Sequence, residues 1–141
     1  MRDNNDRDET LKLLHSYFSA RDEVLLVLLF GSSGTGQEHP LSDIDIAVLL
    51  KNDIPLMEEL KMAADLSFLL DRDDVDLVLL RNASVNIAHR ALSTGRVVFE
   101  RDQLLTADFV EATINHYRDF GYRLRQIDAD FAEKLREDFL N

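Results

Sequence analysis

A mixed α/β fold follows from three observations. Three apolar runs, Val24–Phe30, Ile44–Leu50 and Val75–Leu80, are short and bounded by glycine, proline or acidic clusters, as strands are. The segments between and around them carry helical spacing. The resulting order is helix, strand, loop, strand, helix, strand, helix, strand, helix. That order predicts a small twisted sheet of about four strands with helices largely on one face, and a long C-terminal helical segment.

Taken along the chain, residues 1–9 are polar and read as a flexible N-terminus, and residues 10–141 read as one domain. Asp8 or Thr10 can cap a helix to about Ala20, with Leu11, Leu14 and Phe18 on one side. Val24–Phe30 is apolar throughout, which predicts a strand buried on both faces. A glycine-rich loop follows, and Pro40 keeps its tail out of a ladder. Ile44–Leu50 is the second strand. Pro55 suits the first turn of a helix whose inward face is read as Leu56, Leu60, Ala63, Ala64, Ser67 and Leu70. After the acidic turn at 71–74 comes the third strand, in which Asp76 is the one charge. A helix from Ser84 to about Ser93 ends at Gly95 in the C′ position, and Val97–Phe99 is a short edge strand. The final segment, about 106–139, lacks proline. Its Tyr117, Phe120, Leu124, Ile127 and Phe131 are spaced as a heptad seam. The seam either docks on the sheet or serves another chain, and Gly121 either kinks the helix or divides it.

The 141 residues carry 45% hydrophobic and 30% charged residues, the balance of a globular domain with a real core. No apolar run approaches the ~20 residues of a membrane helix, and the acidic, polar start is not that of a targeting peptide. With no cysteine there is neither a disulfide nor a thiolate metal site, and a reducing cytoplasm is the expected location. A net charge of −11 opposes direct binding of nucleic acid through its phosphates. The four histidines show no paired ligand spacing.

The chemistry concentrates in residues 30–50, FGSSGTGQEHPLSDIDIAVLL. Successive side chains of a strand alternate, so Asp43 and Asp45 point to one side and Ile44 and Ile46 to the other. Two adjacent carboxylates repel unless a cation neutralises them. Mg²⁺ takes such oxygen ligands and completes its shell with phosphate and water. Gly31, Gly34 and Gly36 let backbone N–H groups approach an anion, and the Ser32 hydroxyl adds a donor. Ser33, Gly36 and Ser42 join Gly31 and Ser32 as candidate nucleotide-binding residues. If the second and third strands are neighbours, Asp76 converges with Asp43 and Asp45 as catalytic and metal-binding residues for two ions. The loop lacks the Gly-Lys-Ser/Thr of a Walker motif, and no Gly-x-Ser-x-Gly elbow activates Ser32.

Gly31-Ser32, ten intervening residues, Asp43-x-Asp45 and a later strand acid resemble the nucleotidyltransferase superfamily of DNA polymerase β. The likeness is greatest to its minimal MntA-type branch, and it extends over about residues 10–120. It includes the segment TGRVVFERD at 94–102 and the Tyr-Arg-Asp-Phe at 117–120. The resemblance implies an antitoxin enzyme that moves AMP from ATP to a tyrosine of a cognate HEPN RNase toxin, encoded beside it. It also implies that the two proteins form a hetero-oligomer. It assigns both Mg²⁺ ions to Asp43 and Asp45. Asp76 would bind one ion and help to deprotonate the acceptor hydroxyl, and Gly31 and Ser32 would hold the triphosphate. One departure stands out: family loops often read Gly-Ser-x-Ala-Arg-Gly, and here Thr35 replaces the arginine. Two alternatives follow: a toxin-covering module with a vestigial site, and a small-molecule nucleotidyltransferase, for whose acceptor domain the chain has little room.

Overall fold

The structure is a computed structural model that describes residues 2–30 and 44–140, with side chains from 7 to 138 within those ranges. Along the chain it forms α1 (Arg2–Ser19), β1 (Val24–Phe30), β2 (Ile44–Leu50), α2 (Leu56–Leu70), β3 (Val75–Leu79), α3 (Val85–Thr94), β4 (Arg96–Glu100) and α4 (Gln103–Leu140). The sheet order is β3-β2-β1-β4. β1 is antiparallel to both β2 and β4, and β2 is parallel to β3 through the α2 crossover.

Every residue of β1 is buried, as its unbroken apolar run requires of a central strand. One face of the sheet (Val24, Val27, Leu29, Ile46, Val48) packs against Leu14 and Phe18 of α1 and Met62 and Leu66 of α2. The other (Leu26, Leu28, Ala47, Leu49) packs against Ala88 and Ala91 of α3, with Phe109 of α4 beside them. Helices therefore cover both faces, and the expected one-sided arrangement is corrected. Cover on one side alone would leave Leu26, Leu28 and Leu49 in water, at roughly 1.5–3 kcal/mol for each side chain.

Two helices differ from their sequence reading. α1 begins at Arg2 rather than at Asp8 or Thr10, because no proline or glycine interrupts the preceding residues. α2 buries Met62 and Leu66, whereas Leu56 and Leu60 of the expected inward face are exposed. The helix carries two apolar stripes, and periodicity cannot choose between them. The Tyr17 hydroxyl donates to Asp65 at 2.9 Å, and this contact turns the Met62–Leu66 side toward α1.

α3 starts where expected, with the Ser84 hydroxyl accepting from the Ile87 N–H at 3.3 Å. Gly95 does close it, but at φ −74° the requirement is space rather than a left-handed backbone. A Cβ there would lie 2.2 Å from the Ala91 carbonyl oxygen and 3.2 Å from Leu28 Cβ. α4 runs unbroken through Gly121, so that residue does not divide it. Asp102 caps it, its Oδ1 accepting from the N–H groups of Leu104 (3.0 Å) and Leu105 (3.1 Å). Only its first half is docked, through Thr106, Phe109 and Thr113. From Tyr122 to Asp138 every residue is exposed, so the distal seam does not pack on the sheet.

Arg101, within the 94–102 segment, ties this frame together. Its Nε donates to the Val24 carbonyl at 2.9 Å, and its Nη2 donates to the carbonyls of Ser19 and Arg21, both at 3.0 Å. These acceptors lie at the end of α1 and the entry to β1. Arg101→Ala is expected to lower unfolding free energy by about 1–2 kcal/mol, measured by urea titration. Arg101→Lys should restore only part of this, since a lone ammonium cannot span the three carbonyls.

Candidate active site

Asp45 and Asp76 are register partners on the parallel strands β2 and β3. Adjacent strands lie about 4.8 Å apart, so the two carboxylates stand side by side. Both belong to the α3 side of the sheet. Ile44 and Ile46 flank Asp45 and enter the opposite core, while Leu77 packs there beside Asp76. Each acid occupies the first turn of its strand, where the sheet meets solvent: Asp45 is half-buried and Asp76 exposed. The condition that the second and third strands be neighbours is thus met for this pair. Asp43, and the loop residues Gly31, Ser32, Ser33, Gly36 and Ser42, lie outside the described residues.

The turn before β3 fixes this edge. The Asp74 carbonyl accepts from the Ile44 N–H at 2.9 Å, joining the turn to the residue between Asp43 and Asp45 in sequence. The Asp74 carboxylate holds the Arg72 guanidinium by two hydrogen bonds, from Nε at 2.7 Å and from Nη2 at 2.5 Å. Arg72 keeps the Asp74 carboxyl below its usual range. The pair therefore stays charged above the ordinary carboxylate pKa and separates only as pH falls below it. By sequence Asp74 reads as a mere strand-start charge, and Arg72 is not a candidate. The Arg-x-Asp spacing two residues before Asp76 was the available signal.

Among the described residues no group of three or more potential ligands could hold a metal ion. Asp45 and Asp76 supply two hard oxygen donors on one face, and such donors fit Mg²⁺. Mg²⁺ completes such a donor set with further oxygen ligands, among them phosphate and water.

Other polar features stand elsewhere. A cavity of about 230 Å³, lined by Tyr17, Arg21, Glu23, Ile54 and Asp65 among others, lies at the opposite end of the sheet. Burial, then the hydrogen bond to Asp65, raises the Tyr17 pKa above its ordinary value, so the phenol stays neutral there. His15 meets the Phe99 ring edge-on, and His89 stacks on Tyr117 with centroids 3.6 Å apart.

Known proteins resemble this chain in sequence and in fold. The family model "Polymerase beta, Nucleotidyltransferase" matches residues 12–104. The protein adenylyltransferase MntA of Shewanella oneidensis (strain MR-1) is 38% identical over 78 residues, covering 55% of each chain. That match thus spans just over half of the relative's length. A crystal structure of a toxin–antitoxin with AMP-PNP superposes with a TM-score of 0.72 at 31% identity, covering 89% of this chain and 98% of that one. A structure of tri-AMPylated S. oneidensis HEPN toxin in complex with MNT antitoxin gives 0.67 at 28% identity, covering 92% and 98%.

Proposed function

The chain belongs to the polymerase β nucleotidyltransferase family, and from that premise we propose that it transfers AMP from ATP to a tyrosine hydroxyl of a HEPN-type toxin and so acts as its antitoxin. The observation that carries the reading is the pairing of Asp45 with Asp76 at the solvent edge of the sheet. Two like charges in register on adjacent strands disfavour each other unless a cation neutralises them, and such a pair suits a divalent ion.

The acceptor oxygen forms a bond to the α-phosphorus while the bond to the bridging oxygen breaks and pyrophosphate leaves. The hydroxyl proton passes to Asp76 and then to water. Asp43 and Asp45 would hold Mg²⁺, two ions as the family resemblance implies, with Asp76 contacting one of them. When bound, these ions supply neutralisation of the triphosphate and polarisation of the reacting oxygens. Gly31, Ser32, Ser33, Gly36 and Ser42 cradle the phosphates through N–H and hydroxyl donors. The Arg72–Asp74 clasp holds the start of β3 against β2 and so fixes the separation of Asp76 from Asp45. Thr35 stands where the loop pattern of the resemblance has arginine, so on that pattern less of the phosphate charge is met by the loop itself.

The test is the intact mass of a HEPN toxin co-expressed with the chain. A gain of whole AMP units that requires ATP and Mg²⁺ is expected. A toxin silenced at unchanged mass would instead establish a covering module with a vestigial site.

A further inference from the structure

α2 displays an apolar stripe that the fold leaves uncovered. Leu56, Met57, Leu60 and Phe68 lie on its outer side, opposite Met62 and Leu66, and Phe68 is 91% exposed. Four large apolar side chains on one exposed helix face exceed the scattered apolar residues of an ordinary surface. The helix has a defined direction. It leaves the far end of β2 and returns to the start of β3, so its last turn, with Phe68, reaches the end of the sheet where Asp45 and Asp76 stand, on the face opposite their side chains. After Phe68 only the 71–74 turn separates the helix from β3, which is the edge strand on that side.

The stripe is also set in the most acidic part of the chain. Residues 53–76 hold eight of the 27 acidic residues, against two cations, Lys61 and Arg72. Apolar anchors within an anionic rim select a partner with apolar pockets and a cationic surround. A protein that cleaves RNA must itself attract phosphates, and so presents such cations.

We propose that the outer face of α2 seats the acceptor toxin beside the active edge. Resting on the proposed function, this assignment names the surface that delivers the acceptor. A protein seated on Leu60 and Phe68 reaches around edge strand β3, over the turn at 71–74, to Asp76. Electrostatic attraction brings it to the face, and the apolar stripe retains it.

The experiment compares wild type with Leu60→Asp/Phe68→Asp and with the milder Phe68→Ala. All three are measured for affinity to the purified HEPN toxin by titration calorimetry at low and moderate salt, for binding of AMP-PNP, and for AMP addition by intact mass. Both changes are outward-facing, so melting temperature and AMP-PNP binding should match wild type. The double variant should bind the toxin at least about 10-fold more weakly, and Phe68→Ala should show a smaller loss in the same direction. AMP addition should recover as toxin concentration rises, and wild-type affinity should fall with salt. Toxin affinity within about twofold of wild type in both variants would overturn the assignment, whatever the mass measurement shows. Should wild type add no AMP, the proposed reaction fails, and the affinity comparison still decides the docking face.

Discussion

Replacing Asp45 with asparagine is expected to lower AMP transfer by about 10³-fold or more while leaving the protein folded. The amide keeps the size and shape of the side chain but removes its charge. Asp45 stands in register with Asp76 and is only half-buried, so the change leaves no cavity. Without metal, the two carboxylates repel, and removing one charge relieves that repulsion. The melting temperature in metal-free buffer should therefore hold or rise. With Mg²⁺ and AMP-PNP present, the wild type should gain stability by mass action and the variant should gain much less. Activity by intact mass and melting with and without Mg²⁺ are the two readouts. A large drop in melting temperature without metal would show that Asp45 is part of the folding frame instead.

The second large effect is expected on the distal half of α4. Phe131→Asp should weaken toxin binding about 100-fold, with no change in melting temperature. Phe131 is 62% exposed and Ile127 is 61% exposed, on a helix that has left the sheet behind. A solvated helix of this length gains little from its own hydrogen bonds and is stabilised when its apolar side is covered. Leu124, Ile127 and Phe131 present that side at heptad spacing, which suits a helical groove or a facing helix. The substitution places a carboxylate in the middle of the seam and leaves the docked half, around Phe109 and Thr113, untouched. Titration calorimetry with the toxin is the measurement. Affinity unchanged at both low and moderate salt would remove α4 from the interface and put the contact elsewhere, at the α2 face or around the glycine loop. Loss in both sets of variants would describe a partner gripped at two places, one of them beside the active edge.

Much of this was legible in the chain itself. The strands Val24–Phe30 and Ile44–Leu50 are marked by apolar runs, the second broken by Asp45 alone, and their bounds match those observed. The third was read one residue long. Strand alternation alone set Asp45 apart from Ile44 and Ile46, because that rule is local and independent of neighbours. Ser84, Gly95 and Pro55 marked helix ends correctly, since capping depends on only a few adjacent residues.

Strand order and register were decided only in three dimensions. Sequence made Asp76 a candidate, but the parallel pairing of β2 with β3 made it the partner of Asp45. The inward face of α2 was likewise undetermined, because two apolar stripes compete on one helix and a contact with Tyr17, 48 residues away in sequence, selects between them. Cover on both faces of the sheet arose from the same cause: a buried strand records that it is buried, not which helix buries it. Nothing local in the sequence marks Arg101, because only folding brings its three carbonyl acceptors together. Local rules fix the type and ends of an element, while burial and long-range hydrogen bonding fix its neighbours, and here the neighbours place Asp76 beside Asp45.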